Sequence, residues 1–131
     1  MAEDSPYWNL RGNGGLLSTA HDMFRWDRAL GGATVLDQRA TEELFRPRVL
    51  EEAGGESSYG YGWVVLDTDH GPVAWHNGGN GWSYGEYVRL LDDDVMVFWV
   101  TNRYQDEAGG WNLERLGQGL TAGVVERVRS R

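Results

Sequence analysis

Hydrophobic positions near the N-terminus follow the spacing of an amphipathic helix. A polar, turn-rich stretch, Met1–Gly15, comes first, and Ser18 and Thr19 then supply hydroxyl groups suited to capping a helix. The apolar side chains that follow recur at helical spacing, and Gly31–Gly32 ends the segment. The residues predicted to face the core are Met23, Trp26 and Leu30.

A second, shorter helix is predicted just downstream. Asp37 is a favourable N-cap residue and Pro47 cannot continue a helix, so the element should lie between them. Ala40 and Leu44 would face the core, because residues four positions apart share one side of a helix. The segment Glu51–Ser58 is polar and contains glycine, and we interpret it as a loop that joins the helical half to the rest.

The pattern changes to short strands beyond this loop. Aromatic and β-branched residues form runs that turn-forming residues separate. Asp92–Asp94 lies between two of these runs and predicts a hairpin turn. Val95–Val100 is apolar at consecutive positions, which predicts a central strand or a strand covered on both faces. The predicted strands are Tyr59–Leu66, Val73–His76, Tyr84–Leu91 and Val95–Thr101.

A third amphipathic helix is predicted for Trp111–Arg129. Gly117, Gly119 and Gly123 lower its helix propensity, and they could instead allow close packing on a sheet. Its apolar positions share one predicted face, and they are Leu113, Leu116, Leu120, Val124 and Val128. Two N-terminal helices, an antiparallel sheet of three to four strands and a C-terminal helix make an α+β fold, which we predict to be a single domain, residues 1–131.

Composition excludes several classes of protein and of chemistry. The chain has 131 residues and a net charge of -8, which argues against a nucleic-acid partner. It has no cysteine, so disulfides, thiolate metal sites and a cysteine nucleophile are excluded. All 12 basic residues are arginine, which excludes Schiff-base chemistry and a serine–lysine pair within the chain. Val95–Val100 is too short to span a membrane, and Met1–Pro6 lacks the pattern of a secretion signal.

One segment, Trp75–Trp82, is a candidate for chemistry. In it His76 leaves a predicted strand and meets a glycine-rich loop, where backbone N–H groups could approach a ligand or form an oxyanion hole. A structural histidine beside an ordinary glycine-rich turn is the alternative, and it is the commoner arrangement. His21 and His70 show no metal-ligand spacing, and Asp92–Asp94 suits a polar turn without a cation. We therefore predict no metal site and no cofactor.

Four motifs occur in the order and spacing of one known family. They are a Gly-Gly-Leu-x-Ser-Thr-Ala-x-Asp-Met segment, a Tyr-Gly-x-Gly-Trp strand, a third active-site motif of the His-x-Gly type and a final strand that ends in Thr-Asn. The chain thus resembles the serine β-lactamase-related family, which includes class C β-lactamases, D,D-peptidases, D-aminopeptidases and esterases. The four motifs lie at Gly12–Met23, Tyr59–Trp63, His76–Gly79 and Val97–Asn102.

The resemblance covers Gly12–Val125 and implies only the C-terminal part of that family's fold. Members carry a nucleophilic serine, a lysine one helical turn later and then a Tyr-x-Asn motif, all upstream of the matched segment. A chain without lysine cannot contain the Ser-x-x-Lys motif. Tyr7–Asn9 has Tyr-x-Asn spacing, but it lies too close to the first matched motif. Acyl transfer by this chain alone should therefore be negligible.

The resemblance also implies roles for the residues of the glycine-rich loop. His76 matches the first residue of the third motif and would stabilise an anionic or tetrahedral species as a hydrogen-bond donor. Asn77 would bind a substrate carboxylate or carbonyl group, and Gly78 would let the backbone approach closely. Gly79 matches the residue whose N–H forms half of the oxyanion hole. The predicted catalytic residues are His76 and Gly79, and the predicted substrate-binding residues are Asn77, Gly78 and Trp82.

The resemblance does not include the N-terminal part of the family's fold, and we therefore predict a partner for this chain. In the family, N-terminal strands and the catalytic helix complete the same sheet, so a chain without them should expose an apolar face and an unpaired strand edge. We expect a homo-oligomer or a companion chain that supplies the N-terminal half, with a small-molecule substrate bound only by the completed site. The alternatives are a non-catalytic module that binds a ligand through Trp75 and Trp82, or an interaction protein whose sheet edge pairs with another chain. β-Lactam, D-peptide and ester substrates stay open, and no compartment is predicted.

Overall fold

The computed structural model describes Gly14 and residues 16–80, 82–106 and 108–130 of the chain. The polar stretch predicted at Met1–Gly15 therefore lies outside the described residues, Gly14 excepted, and so does the Tyr-x-Asn spacing at Tyr7–Asn9. Gly81 of the candidate loop lies outside them as well.

The two predicted N-terminal helices begin at the predicted caps. Helix α1 is Ala20–Gly31, and the Thr19 side chain accepts a hydrogen bond from a backbone N–H of its first turn. Helix α2 is Gln38–Leu44, and the Asp37 side chain does the same there. Each cap satisfies one of the backbone donors that a helix start leaves without an intrahelical partner.

The strands form a six-stranded antiparallel sheet in which each strand pairs with the next one along the chain. Its strands are β1 (Val49–Leu50), β2 (Ser57–Tyr59), β3 (Val64–Thr68), β4 (Gly71–Gly79), β5 (Tyr84–Leu90) and β6 (Val95–Thr101). A separate two-stranded ribbon, β7 (Gln105–Asp106) and β8 (Trp111–Asn112), leads into helix α3 (Leu113–Arg129). Both ends of β6 coincide with the strand predicted from the sequence.

The α+β class is confirmed, but the main sheet has six strands rather than the three to four predicted. The predicted strand Tyr59–Leu66 is two strands, because Gly60–Trp63 forms a turn closed by a 2.8 Å hydrogen bond from the Gly60 N–H to the Trp63 carbonyl oxygen. The loop predicted at Glu51–Ser58 is too long by two residues, because Ser57 and Ser58 belong to β2 and only residues 51–56 connect β1 with β2. Strands of two or three residues carry no readable alternation of polar and apolar positions, so only their pairing reveals them.

Helices α1 and α3 lie on opposite faces of the sheet. Successive residues of a strand point to opposite faces, and in β5 Glu86 bonds Thr121 of α3 whereas Tyr87 bonds Asp27 of α1. Of the two arrangements predicted for Val95–Val100, the central strand is wrong, and cover on both faces is only partial, because the strand is half-buried and Val100 is 65% exposed. In the described sheet β6 pairs only with β5, yet it contacts both helices.

Two core clusters hold the helices on the sheet, one on each face. Their buried members are Leu30, Phe45 and Ala74 on the α1 side and Val88, Leu90 and Val125 on the α3 side. Leu44 of α2 packs against the first cluster, as predicted. Burial of a large aliphatic side chain of this kind contributes about 1.5–3 kcal/mol.

The inward face of α1 differs from the predicted one. Leu30 is buried as predicted, but Trp26 is 44% exposed and Asp27 takes the inward position beside it. The cause is Arg89 on the sheet, whose guanidinium group needs a carboxylate partner and finds it in Asp27. The helix is therefore rotated away from the face that hydrophobicity alone would bury.

The inward face of α3 differs in the same way. Among the residues of α3 whose burial the structure describes, Gly117, Thr121 and Val125 are buried. Four of the residues predicted to face the core are 41–53% exposed instead, namely Leu116, Leu120, Val124 and Val128. Glu86 on the sheet requires a hydrogen-bond donor, which the Thr121 hydroxyl supplies, and this contact sets the rotation of the helix. Within the described part of the chain, no helix has both the length and the hydropathy needed to cross a membrane.

Candidate functional site

The end of β4 carries His76 beyond the neighbouring strand. β3 begins at Val64, which pairs with Trp75, so the residues of β4 after Trp75 extend past β3. The exposed His76 ring has its Nδ1 2.7 Å from the Asn77 carbonyl oxygen and its Nε2 2.9 Å from the Tyr59 hydroxyl. A carbonyl oxygen only accepts, so in the neutral imidazole Nδ1 carries the proton and Nε2 accepts from Tyr59.

Tyr59 is a site residue that the sequence analysis did not assign. Its ring meets the His76 ring edge-on, with centroids 5.9 Å apart. It lies on β2, two strands away from β4, and reaches His76 because β3 starts only at Val64. Its place at the start of the Tyr-Gly-x-Gly-Trp motif was an available signal, but the distance to His76 depends on the strand order.

Asn77 points to the opposite face from His76, as adjacent strand residues do. Its Nδ2 donates to the Tyr84 hydroxyl at 2.9 Å, and that hydroxyl donates to Glu86 at 3.2 Å. Glu86 accepts a second hydrogen bond from Thr121 of α3. The structure therefore brings the Asn77 side chain into a buried hydrogen-bonded chain and away from the His76 imidazole.

Tyr84 is buried at the centre of this row of hydrogen bonds, and its surroundings disfavour the phenolate. Burial, together with the nearby Glu86 carboxylate, raises the pKa of Tyr84 from 10.0 to about 12, although the Asn77 hydrogen bond acts in the opposite direction. On the other face, burial and the hydrogen bond to Asp27 raise the pKa of Tyr87 as well.

These two tyrosines should make the protein lose stability in alkali. Because the pKa of each tyrosine is higher in the folded chain than in the unfolded chain, the folded chain binds more protons at any pH between the two pKa values. The stabilisation is therefore complete below pH 10 and falls as the pH rises. For Tyr84 the loss should be about 1.4 kcal/mol per pH unit between pH 10 and about 12. Urea unfolding at pH 9 and 11.5 measures it. Tyr84→Phe should flatten the profile and the exposed Tyr61→Phe should not, so an unchanged slope in Tyr84→Phe would contradict this expectation.

Gly78 and Gly79 differ in what their missing side chains would meet. A Cβ at Gly78 would have nothing within 4 Å. A Cβ at Gly79 would lie 2.9 Å from the Tyr104 ring and 3.2 Å from the Ser83 carbonyl oxygen. Packing within the chain therefore requires glycine at position 79, whereas Gly78 leaves open surface.

The loop after β4 is organised by Asn80. Its Oδ1 accepts from the N–H groups of Trp82 and Ser83 and from the Ser83 hydroxyl, at 2.9–3.1 Å. Its own N–H donates to the Ser83 carbonyl oxygen and closes the hairpin. Hydrogen-bonded and non-bonded pairs alternate along an antiparallel ladder, so the next pair, Gly79 with Tyr84, directs the Gly79 N–H away from β5. The Trp82 side chain is 66% exposed.

The other polar candidates have structural partners or lie apart. Asp93 and Asp94 of the hairpin turn pair with Arg129 and Arg28, which ties the turn to α3 and α1. His70 lies in the turn between β3 and β4 and is exposed. Across the described residues, no three His, Asp or Glu side chains come close enough together to hold a metal ion.

The motifs and the fold agree with a comparison of sequences. A sequence model of the family described as Beta-lactamase matches residues 1–118, which include the whole candidate site. The chain belongs to the Beta-lactamase family. It is also 28% identical over 98 residues to penicillin-binding protein 4* of Bacillus subtilis (strain 168). That match covers 74% of this chain and 22% of the Bacillus protein, so this member of the family spans less than a quarter of its curated relative. No solved structure matches the chain.

Membership in the Beta-lactamase family confirms the resemblance given by the four motifs. The described residues provide the exposed His76 side chain and the Gly79 N–H at the end of β4, where that N–H is directed away from β5. They also provide the exposed Trp82 side chain in the loop that follows. They provide no lysine, since the chain has none.

Proposed function

We propose that this chain forms the substrate-facing wall of a serine-type site for acyl transfer or acyl hydrolysis, and that the nucleophilic serine and its base come from another polypeptide segment. The observation that carries the proposal is that His76 and the Gly79 N–H both lie on the part of β4 that extends beyond β3. β-Lactams, D-peptides and esters share the electrophilic carbonyl carbon that such a site would act on. Family membership supports this reaction class.

The Gly79 N–H would supply half of an oxyanion hole. It is directed away from β5, and no side chain at position 79 stands between it and a substrate oxygen. The second donor would be the N–H of the nucleophilic residue in the other segment. One such donor is worth about 10²–10³ in kcat.

His76 and Tyr59 would act together beside this hole. The Tyr59 hydroxyl donates to Nε2 of the neutral His76 imidazole, so the pair can shift a proton toward or away from a leaving group. Trp82 would form the outer wall against an apolar part of the substrate. Asn77, held by Tyr84 on the other face, would act as a positioning residue that anchors the end of β4.

The chain's own hydroxyl groups near the site have no activating base. The Ser83 hydroxyl donates to the Asn80 side chain, and lysine does not occur in the chain. A serine hydroxyl is a weak nucleophile without an adjacent base. Turnover by the chain alone should therefore be negligible.

Two surfaces support docking of a companion segment or a second copy. β6 pairs only with β5 in the described sheet, and Val100 on it is 65% exposed. An unpaired strand edge is a template for pairing with another chain. The second surface is formed by the exposed apolar residues of α3, which are Leu116, Leu120, Val124 and Val128.

The first test measures turnover and mass on the same samples of the full chain. A chromogenic ester and a chromogenic β-lactam should show no turnover above background, and light scattering should show a mass that rises with concentration. Val100→Lys should lower the mass at a given concentration, because a charged edge residue opposes strand pairing. Turnover by the chain alone that disappears in His76→Ala would mean that a nucleophile lies within the chain. A monomeric mass throughout would contradict self-association.

The second test supplies the missing groups. This chain would replace the 98 matched residues of the Bacillus relative, and covalent labelling by a fluorescent penicillin would be followed. We expect labelling that His76→Ala slows about 10²-fold. The matched control His21→Ala changes an exposed histidine at the start of α1 and should leave the rate unchanged. Equal rates in both variants would remove His76 from the site.

A non-catalytic ligand-binding module is the second candidate. The exposure of Trp82 beside the loop ordered by Asn80 favours it, because a large aromatic surface there can bind a ligand without chemistry. Two results together would favour this candidate. The chain alone would bind a β-lactam or D-peptide and lose that binding in Trp82→Ala, and the hybrid protein would not be labelled.

A further inference from the structure

A cavity lies between the sheet and α3, on the face opposite His76. Its volume is about 320 Å³, and residues of β3, β4, β5 and α3 line it. The space exists because α3 presents small side chains here, among them Thr121 and Ala122. An apolar cavity of ~150 Å³ is already large enough to admit benzene in an engineered protein. The walls are mainly apolar, and their aliphatic side chains include Leu66, Val73, Val88, Leu90 and Val125.

Glu86 brings a carboxyl group to this apolar cavity. It is 2% exposed and accepts hydrogen bonds from the Tyr84 and Thr121 hydroxyls, which are neutral donors. Among the described residues no cation forms an ion pair with it. The buried carboxyl group on the opposite face is different, because Asp27 accepts from the Arg89 guanidinium group. A buried carboxylate without a cation is costly, so Glu86 is a place where a bound positive charge would be stabilised.

Two further groups favour a cation at the same cavity. Trp75 lines the cavity, and an indole ring attracts ammonium groups, most strongly where water is excluded. Glu126 lies at the cavity on α3 and adds a second acidic group. None of the described lining residues is an arginine, and the one histidine among them, His70, lies in the exposed turn between β3 and β4.

We propose that this cavity binds an organic monocation with an apolar body, with its ammonium group at Glu86 and its hydrocarbon part against the aliphatic walls. A metal ion is a poorer match, because it prefers several oxygen ligands and the described residues form no cluster of three. The cavity and His76 lie on opposite faces of the sheet, so this site is separate from the acyl-transfer site proposed above.

The test compares two probes of the same shape and different charge. Binding of 1-adamantylmethylamine and of 1-adamantylmethanol to the full chain would be measured by titration calorimetry at pH 7. We expect the amine to bind at least tenfold more tightly than the alcohol. Glu86→Gln should remove this difference, whereas Glu114→Gln, which changes an exposed acid outside the cavity, should preserve it. Equal affinities for the two probes, or no binding of either, would overturn the proposal.

A second variant tests the location without touching the buried hydrogen bonds. Ala122 is exposed and lines the cavity, so Ala122→Trp should fill the entrance and abolish binding of both probes with little effect on the fold. Unchanged amine binding in this variant would mean that the amine binds elsewhere. A second copy of the chain seated in the cavity is the competing outcome. In that case the chain alone would have a mass above that of the monomer. Both Ala122→Trp and added amine would lower this mass, and the amine would not bind the monomer more tightly than the alcohol.

Discussion

Replacing Asp27 with alanine should lower the free energy of unfolding by about 3–5 kcal/mol. The Asp27 carboxylate is buried and accepts from the Arg89 guanidinium group at 2.5 Å and from the Tyr87 hydroxyl at 2.6 Å. Its removal leaves the largely buried Arg89 charge with only the backbone carbonyl of residue 27 as acceptor and the Tyr87 hydroxyl without its acceptor, and neither group can reach water easily. Urea unfolding at pH 7, followed by circular dichroism, measures the loss.

The matched control is Asp94→Ala, which breaks an ion pair of the same kind on the surface. Arg28 and Asp94 are 54% and 71% exposed, so water replaces the lost partner and the expected change is less than about 1 kcal/mol. A double variant, Asp27→Leu with Arg89→Met, removes both charges and should recover most of the stability lost in Asp27→Ala. Similar losses for Asp27→Ala and Asp94→Ala would mean that burial does not determine how much the Asp27–Arg89 pair contributes to the free energy of unfolding.

Gly117→Ala should destabilise the protein although alanine is the better helix former. The added Cβ would lie 2.7 Å from Glu86 Oε2, 3.1 Å from the Trp99 ring and 3.3 Å from the Tyr84 hydroxyl. Glu86 cannot retreat without breaking its hydrogen bonds to Tyr84 and Thr121. Overpacking of this kind costs about 1–3 kcal/mol, and the gain in helix propensity of about 1 kcal/mol offsets only part of it.

Gly119→Ala in the same helix provides the control with the opposite sign. A Cβ at position 119 would meet nothing within 4 Å, so only the propensity gain of about 1 kcal/mol should appear. Thermal unfolding of the two variants compares them directly. If Gly117→Ala stabilised the chain as much as Gly119→Ala, then α3 would not be held as close to the sheet as Gly117 implies.

Elements with strong local signals were predictable from the sequence. The strand Val95–Thr101 and the cap of α2 at Asp37 agree with the prediction, since an apolar run and a capping side chain are local features. The hairpin turn at Asp92–Asp94 is confirmed for the same reason. Strands β1 and β2 were missed, because two or three residues have no pattern and are held in place by their neighbours.

The candidate site was predictable as a list of residues but not as an arrangement. The motif at His76–Gly79 locates it, and membership in the Beta-lactamase family agrees with that motif. The strand alternation that separates His76 from Asn77 follows once β4 is known to continue through both residues. The contact between His76 and Tyr59 has no sequence signature, because it depends on β3 starting late enough to leave room between β2 and β4.

The family motifs, the α+β order of the elements and the exclusion of a serine–lysine pair from this chain all follow from residue identity and local spacing. Which helix faces are buried depends instead on contacts between elements that are distant in the sequence. Hydrophobic periodicity favoured Trp26 in α1 and Leu120 in α3, yet Asp27 and Thr121 face the sheet. The physical reason is that Arg89 and Glu86 are polar groups within a packed sheet, and a buried polar group without a partner is more costly than an exposed apolar side chain.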